Sequence, residues 1–128
     1  TEAEWEKASR GIDGRIYQWG EEAPGTSWAN FYDMDTTPVG KYGTKGASPY
    51  GLDDMAGNVC EWVSSLYLPY PYNSEDGREN IDAYRWRVAR GGSFYEKSRE
   101  SLRCASRYKE NPSYHSDFFG FRVCARSI

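Results

Sequence analysis

The chain has 128 residues, 38% of them apolar, and its 16 Lys and Arg against 19 Asp and Glu leave a formal charge of −3. That size fits one domain with a modest core, and the acidic balance gives a nucleic-acid partner no general electrostatic support. No apolar run approaches the roughly 20 residues that cross a bilayer, and a single histidine, His115, excludes a multi-histidine metal site within the chain. Aromatic residues reach 16%, with 11 Tyr and 5 Trp, so a core built on a few large rings is expected.

In chain order, Thr1-Glu2-Ala3-Glu4 reads as a capping box that opens a helix over Thr1–Ser9. Ala3, Trp5 and Ala8 would form its apolar stripe, and Gly11 would stop it. A chain that begins on a helix cap is expected to lack an upstream part of its domain. Asp13-Gly14 marks a turn, and Arg15–Trp19 reads as a short strand. Residues 20–50 are loop-like and long enough to need pinning by a metal or by aromatic packing. Val59–Leu66 reads as a strand, and residues 67–84 as a second long loop rich in Tyr. Arg87–Arg90, Ser101–Arg107 and Phe121–Ala125 alternate in polarity and read as three antiparallel strands. The fold class is therefore α+β, with few short helices, small antiparallel sheets and little regular secondary structure.

The segment GLDDMAGNVCEW, Gly51–Trp62, concentrates hard oxygen donors around a Gly-Asn turn. Calcium takes six to eight such oxygens. Asp54 and Glu61 can supply carboxylates, Gly57 and Val59 can supply carbonyls, and Asn58 suits the turn itself. The spacing is not that of an EF-hand, and a tight turn with solvated acids is the competing reading.

The same segment resembles G-L-x-D-M-x-G-N-V-W-E-W of the formylglycine-generating enzyme family, the sulfatase-modifying factors. TEAEWEKASRG with RIYQWG, WAN at 28–30, TTPVG at 36–40, RVARGGSF at 87–94, RCASR at 103–107 and GFRVCAR at 120–126 resemble further motifs of that family, in order and with compatible spacing. The resemblance implies that residues 1–128 form the C-terminal part of one such domain, with a C-type-lectin-like fold. It implies Ca²⁺ at Asp54, Gly57, Val59 and Glu61. It also implies a second Ca²⁺ site that starts at Asn30 and the Phe31 carbonyl, which Asp33 or Asp35 would complete.

The family's enzymes oxidise a cysteine of a client sulfatase to formylglycine, using O₂ and a copper(I) ion held by two cysteines, and soft thiolates suit that ion. The resemblance places one of the two at Cys104. Its partner would stand at position 99, where this chain has Arg99. Three cysteines, Cys60, Cys104 and Cys124, leave at least one thiol unpaired within the chain. Cys60, which stands where the family has Trp, and Cys124 read as small core residues.

Gly91 and Gly92 permit a bend of the backbone in the core. The functional alternative puts the Ser93 hydroxyl at a ligand groove, bordered by loops 94–102 and 108–119 and reached by Phe94, Tyr95 and Tyr108. His115 reads as a solvated loop residue. Arg90, Arg103, Arg107 and Arg122 are expected to pair with buried acids or carbonyls. The expectation is a calcium-stabilised, non-catalytic binding or scaffold module. Its partners would be a protein or peptide ligand, or the upstream half and fused domains of the same protein. The alternatives are a copper-dependent oxidase, the accessory domain of an ergothioneine-type sulfoxide synthase, and a diversified ligand-binding protein. Glu96, Lys97, Lys109 and Glu110 are not typical products of the diversification that last class uses.

Overall fold

The computed structural model describes residues 1–125. Helix α1, Glu2–Arg10, starts as the sequence predicts: the Thr1 hydroxyl accepts from the Glu4 amide, and the Glu4 carboxylate reaches back to the cap. Its buried face is not the expected alanine stripe. Glu2, Trp5 and Ser9 point inward, and Ala3 is exposed. The helix is rotated this way because two arginines from the far end of the chain meet Glu2. Arg107 donates to both Glu2 oxygens, at 2.5 and 3.0 Å. Arg90 lies 3.8 Å from the same carboxylate and also pairs with Glu6. Glu2 and Arg90 are both 0% exposed. A buried charge is tolerated only with such partners, so an ion cluster occupies ground that apolar side chains usually hold.

A second, one-turn helix, α2, spans Gly43–Gly46. The sheet contains β1 (Cys60–Leu66), β2 (Arg87–Arg90), β3 (Tyr108–Glu110) and β4 (Phe119–Gly120), in the order β3-β2-β1-β4. β1 and β2 match the sequence reading and pair antiparallel, with Glu61 opposite Arg90. β3 is antiparallel to β2, whereas β4 runs parallel to β1, so the sheet is mixed. Ser101–Arg107 is not a strand. Its first residues belong to a 3₁₀ helix, Arg99–Leu102, whose N-cap is Ser98. The alternation there records Leu102 and Cys104 turned inward and Arg103 and Ala105 outward, a period of two in burial without ladder partners. The closing strand also lies earlier than expected, at 119–120, and residues 121–125 run on outside the ladder. Arg15–Trp19 reduces to one bridge between Tyr17 and Gly20.

The two long loops are held by polar side chains. Arg78, buried in loop 67–84, bonds Asp76 and the Pro69 carbonyl. Arg87 donates to the carbonyls of Asn80, Ile81 and Ala83. Loop 20–50 is tied at Asn58, whose side chain accepts from the Thr37 amide at 2.9 Å and donates to the Thr37 carbonyl at 3.2 Å. Tyr17, Ala29, Phe31, Ala56 and Leu102 pack together against Trp19. Rings do anchor this cluster, yet Tyr32, Tyr50, Tyr70 and Tyr84 remain on the surface.

Candidate functional site

The Gly-Asn turn is a hub of backbone contacts. Asp54 and Asn58 take positive φ, 54° and 65°, and Gly57 sits between them at 76°. A Cβ on Gly57 would lie 2.3 Å from the Asn30 carbonyl, so only glycine allows this approach. The Asn58 amide donates to Asn30, and the Phe94 amide donates to the Asn58 carbonyl. One turn thus joins three distant segments.

Two of the four predicted calcium donors at this turn, Glu61 and Asp54, have partners within the chain. Glu61 is 5% exposed and already faces a cation. Arg122 donates through Nε and Nη2 to the Glu61 carboxylate at 2.6–2.9 Å, and the Trp5 indole N–H adds a bond of 2.7 Å. The same guanidinium reaches the carbonyls of Asp53 and Asp54 at 3.0 and 3.3 Å. Asp54 accepts from the Gly40 amide. Of the four predicted calcium donors, the guanidinium thus meets the Glu61 carboxylate, while the carbonyls it reaches are those of Asp53 and Asp54 rather than those of Gly57 and Val59. At the second predicted site, Asn30 donates its amide to Asn58 and to the Asp35 carbonyl. Asp33 and Asp35 are exposed and each caps the amide of the next residue, and the Phe31 ring packs in the core. Among the described residues no three Asp, Glu, His or Cys side chains gather as a metal site.

The thiols stand in three different settings. All three are free. Cys104 is buried behind α1, where the Ser9 hydroxyl lies 3.1 Å from its sulfur, and burial raises its pKa. Arg99, at the position where a second thiol would be needed, is exposed. Burial pushes the Cys60 thiol up to about 12, so it stays protonated and is no nucleophile at neutral pH. Cys60 is the small core residue expected, and Cys104, the position matched to a copper ligand, is buried as well. Cys124 departs from that expectation, being exposed and off the sheet.

Two cavities open among the described residues. An apolar groove of about 750 Å³ runs between α1, β1 and residues 121–124. A smaller cavity of about 270 Å³ is lined by Cys60, Glu96, Tyr108, Lys109, Glu110, Tyr114, Phe118 and Phe119. Its walls are the two C-terminal loops singled out in the sequence. Of the predicted ligand residues, Tyr108 lines it and donates its hydroxyl to Glu96 at 2.7 Å. Tyr95, 53% exposed, stacks on Phe118 at 6.0 Å and forms its rim. Ser93 and Phe94 do not reach it. Both are buried, because the Phe94 backbone closes the hub with Asn58 and Asp33. Of the four arginines, Arg90, Arg107 and Arg122 hold buried acids, while Arg103 makes only an exposed pair with Glu100.

The sequence profile of the sulfatase-modifying factor enzyme 1-like domain matches residues 1–128. The chain belongs to this formylglycine-generating enzyme family. The serine/threonine-protein kinase pkn1 of Chlamydia caviae is 42% identical over 100% of this chain, which spans 21% of that protein. The formylglycine-generating enzyme of Streptomyces coelicolor is 35% identical over 98% of this chain and 45% of its own length. Treponema denticola variable protein 1 superposes with a TM-score of 0.74 at 29% identity, covering 94% of this chain and 44% of that one. The chain thus spans less than half of each, and its small mixed sheet with few short helices is the fold of this family.

The family motifs led to the turn and missed the cavity. Glu96, Glu110, Tyr114, Phe118 and Phe119 carry no motif. The signal available was the density of rings and acids in loops 94–102 and 108–119. Arg122 sits inside the GFRVCAR motif, but nothing in the sequence names Glu61, 61 positions earlier, as its partner.

Proposed function

We propose that this chain is a non-catalytic ligand-binding module of the formylglycine-generating enzyme family, working as one part of a larger protein. The observation that carries this reading is the cavity bordered by the two C-terminal loops, set against a sheet whose Cys60 thiol is buried and protonated. Two-cysteine copper(I) chemistry has no donor pair here: Cys104 is buried against Ser9, and position 99 is an arginine. The cation role at the Gly-Asn turn falls to Arg122, so structural calcium is not needed to hold the loops. The apolar groove beside α1 suits contact with further polypeptide of the same protein, since the relatives matched are more than twice as long as this stretch.

The test uses the full-length protein. A displayed peptide library selected against it should yield binders whose contacts, mapped by hydrogen exchange, fall on loops 94–102 and 108–119. A parallel incubation with copper(I), O₂ and a cysteine peptide should give no aldehyde by mass spectrometry. Formylglycine in the product, or binders that protect neither loop, would overturn the proposal.

A further inference from the structure

The smaller cavity combines carboxylates with aromatic walls. Half-buried Glu79 is met by the hydroxyls of Ser64, Ser65 and Tyr72, and the buried carboxylates of Glu2 and Glu61 are matched by the chain's own cations, Arg107 with Arg90 and Arg122. Glu96 and Glu110 line the cavity without such a match. One oxygen of Glu96 accepts from the Tyr108 hydroxyl, and one oxygen of Glu110 accepts from the Asn111 amide. Among the described residues neither carboxylate has a basic partner. Lys109 enters the lining between Tyr108 and Glu110 on β3, but strand alternation sends its side chain to the other face. There its ammonium lies 5.9 Å from the Tyr67 ring and 5.8 Å from the Trp86 ring. Lys97 lies over Tyr95, 5.7 Å from its centroid, at the rim.

The other walls are aromatic. Phe119 packs on Tyr114 at 5.3 Å and on Phe118 at 5.5 Å, and Trp62 and Tyr95 extend this row at either end. Ring faces attract cations, the more so when water is excluded. Burial and the neighbouring Glu96 raise the Tyr108 pKa, so its phenol remains a donor that orients the Glu96 carboxylate.

We propose that this cavity receives a cationic nitrogen group, an ammonium or guanidinium, as the anchoring head of the module's ligand. Its volume of about 270 Å³ lies below that of sites for whole drug-sized molecules and suits one side-chain head inserted from the rim. Two carboxylates supply charge, and Tyr108, Tyr114, Phe118 and Phe119 supply the ring walls. The inference rests on the reading that the two loops form the ligand site, and names what that site recognises.

The test titrates the full-length protein with N-acetyl-lysine amide, N-acetyl-arginine amide and tetramethylammonium, with N-acetyl-citrulline amide as the neutral match of arginine. Ring-proton NMR signals of Tyr108, Tyr114 and Phe118 report occupancy. Cationic probes should shift these signals, and the comparison of lysine with arginine assigns the head group. Citrulline should bind at least about tenfold more weakly, and Glu96→Gln should weaken the cationic probes by about tenfold with Tm unchanged. Glu110→Gln provides the same reading if Glu96→Gln fails to fold. Equal binding of citrulline and arginine, no shift with any cation, or indifference to both variants would overturn the inference. Library binders that protect the two loops yet ignore charge would sink this inference alone; binders that avoid the loops would sink the module reading as well.

Discussion

The carboxylates behind α1 and those of the C-terminal cavity follow opposite rules. Glu2 and Glu61 are enclosed by arginines and an indole of the same chain, so their charge is spent on holding the fold. Glu96 and Glu110 are oriented by a phenol and an amide but left without a cation. In a small protein with a modest core, the first arrangement replaces apolar packing with ionic ties. The second leaves negative charge available to an incoming ligand. The contrast to be tested is between acids whose counter-charge comes from their own chain and the half-buried acids of the cavity.

The largest effect separating the two regions is expected at Glu2. Glu2→Ala leaves Arg90 and Arg107 without their buried partner and should cost about 3–5 kcal/mol in urea unfolding. A cost near that of an ordinary surface change would dissolve the contrast. Next comes the Gly-Asn turn. Arg122→Gln removes the bidentate clamp on Glu61, and a loss of about 1–3 kcal/mol is expected. In the unaltered protein, Tm should not respond to millimolar Ca²⁺ or to a chelator. A calcium-dependent rise in Tm that Glu61→Ala abolishes would restore the oxygen-cage reading of this turn.

A smaller effect appears at high pH. The folded Cys60 thiol titrates at about 12, against 9.0 for a free thiol. The fold thus favours the protonated form. That stability is fully present below pH 9.0 and is lost as pH rises towards about 12, by at most about 1.4 kcal/mol per pH unit. Cys60→Ala should flatten this part of a stability–pH curve. At neutral pH, iodoacetamide should label Cys124 first, because Cys60 and Cys104 are buried. Smallest is the expected stability change in Glu96→Gln, within about 0.5 kcal/mol. A loss as large as that of Glu2→Ala would make Glu96 a structural acid and erase the comparison.

Local signals were readable in the residues themselves. The capping box of α1, the strands β1 and β2, and the Gly57-Asn58 turn rest on neighbours a few positions apart, and they formed where the pattern put them. Ser101–Arg107 misled because alternating burial was taken for a ladder, and Cys104 in fact bonds through its amide to Ile16, far back in the chain. The calcium expectation met a similar limit. Local spacing showed the acids of the turn, but that Glu61 faces Arg122 depends on a residue arriving from the end of the chain. The cavity was half legible: its two loops were evident, while the inward turn of Ser93 and Phe94 and the convergence of Glu96 with Glu110 required the folded backbone.

The parallel pairing of β4 with β1 gives the second of these loops an unusual freedom. Residues 111–118 leave the sheet at Glu110 and rejoin it at Phe119, where the Cys60 amide bonds to the Phe118 carbonyl and Arg122 locks the exit onto Glu61. Both ends are fastened by strand pairing or ion pairs that lie outside the loop itself. The stretch between them is therefore carried from its two ends, so that a change at Tyr114 would reshape the cavity wall while the pairings of the frame stay in place.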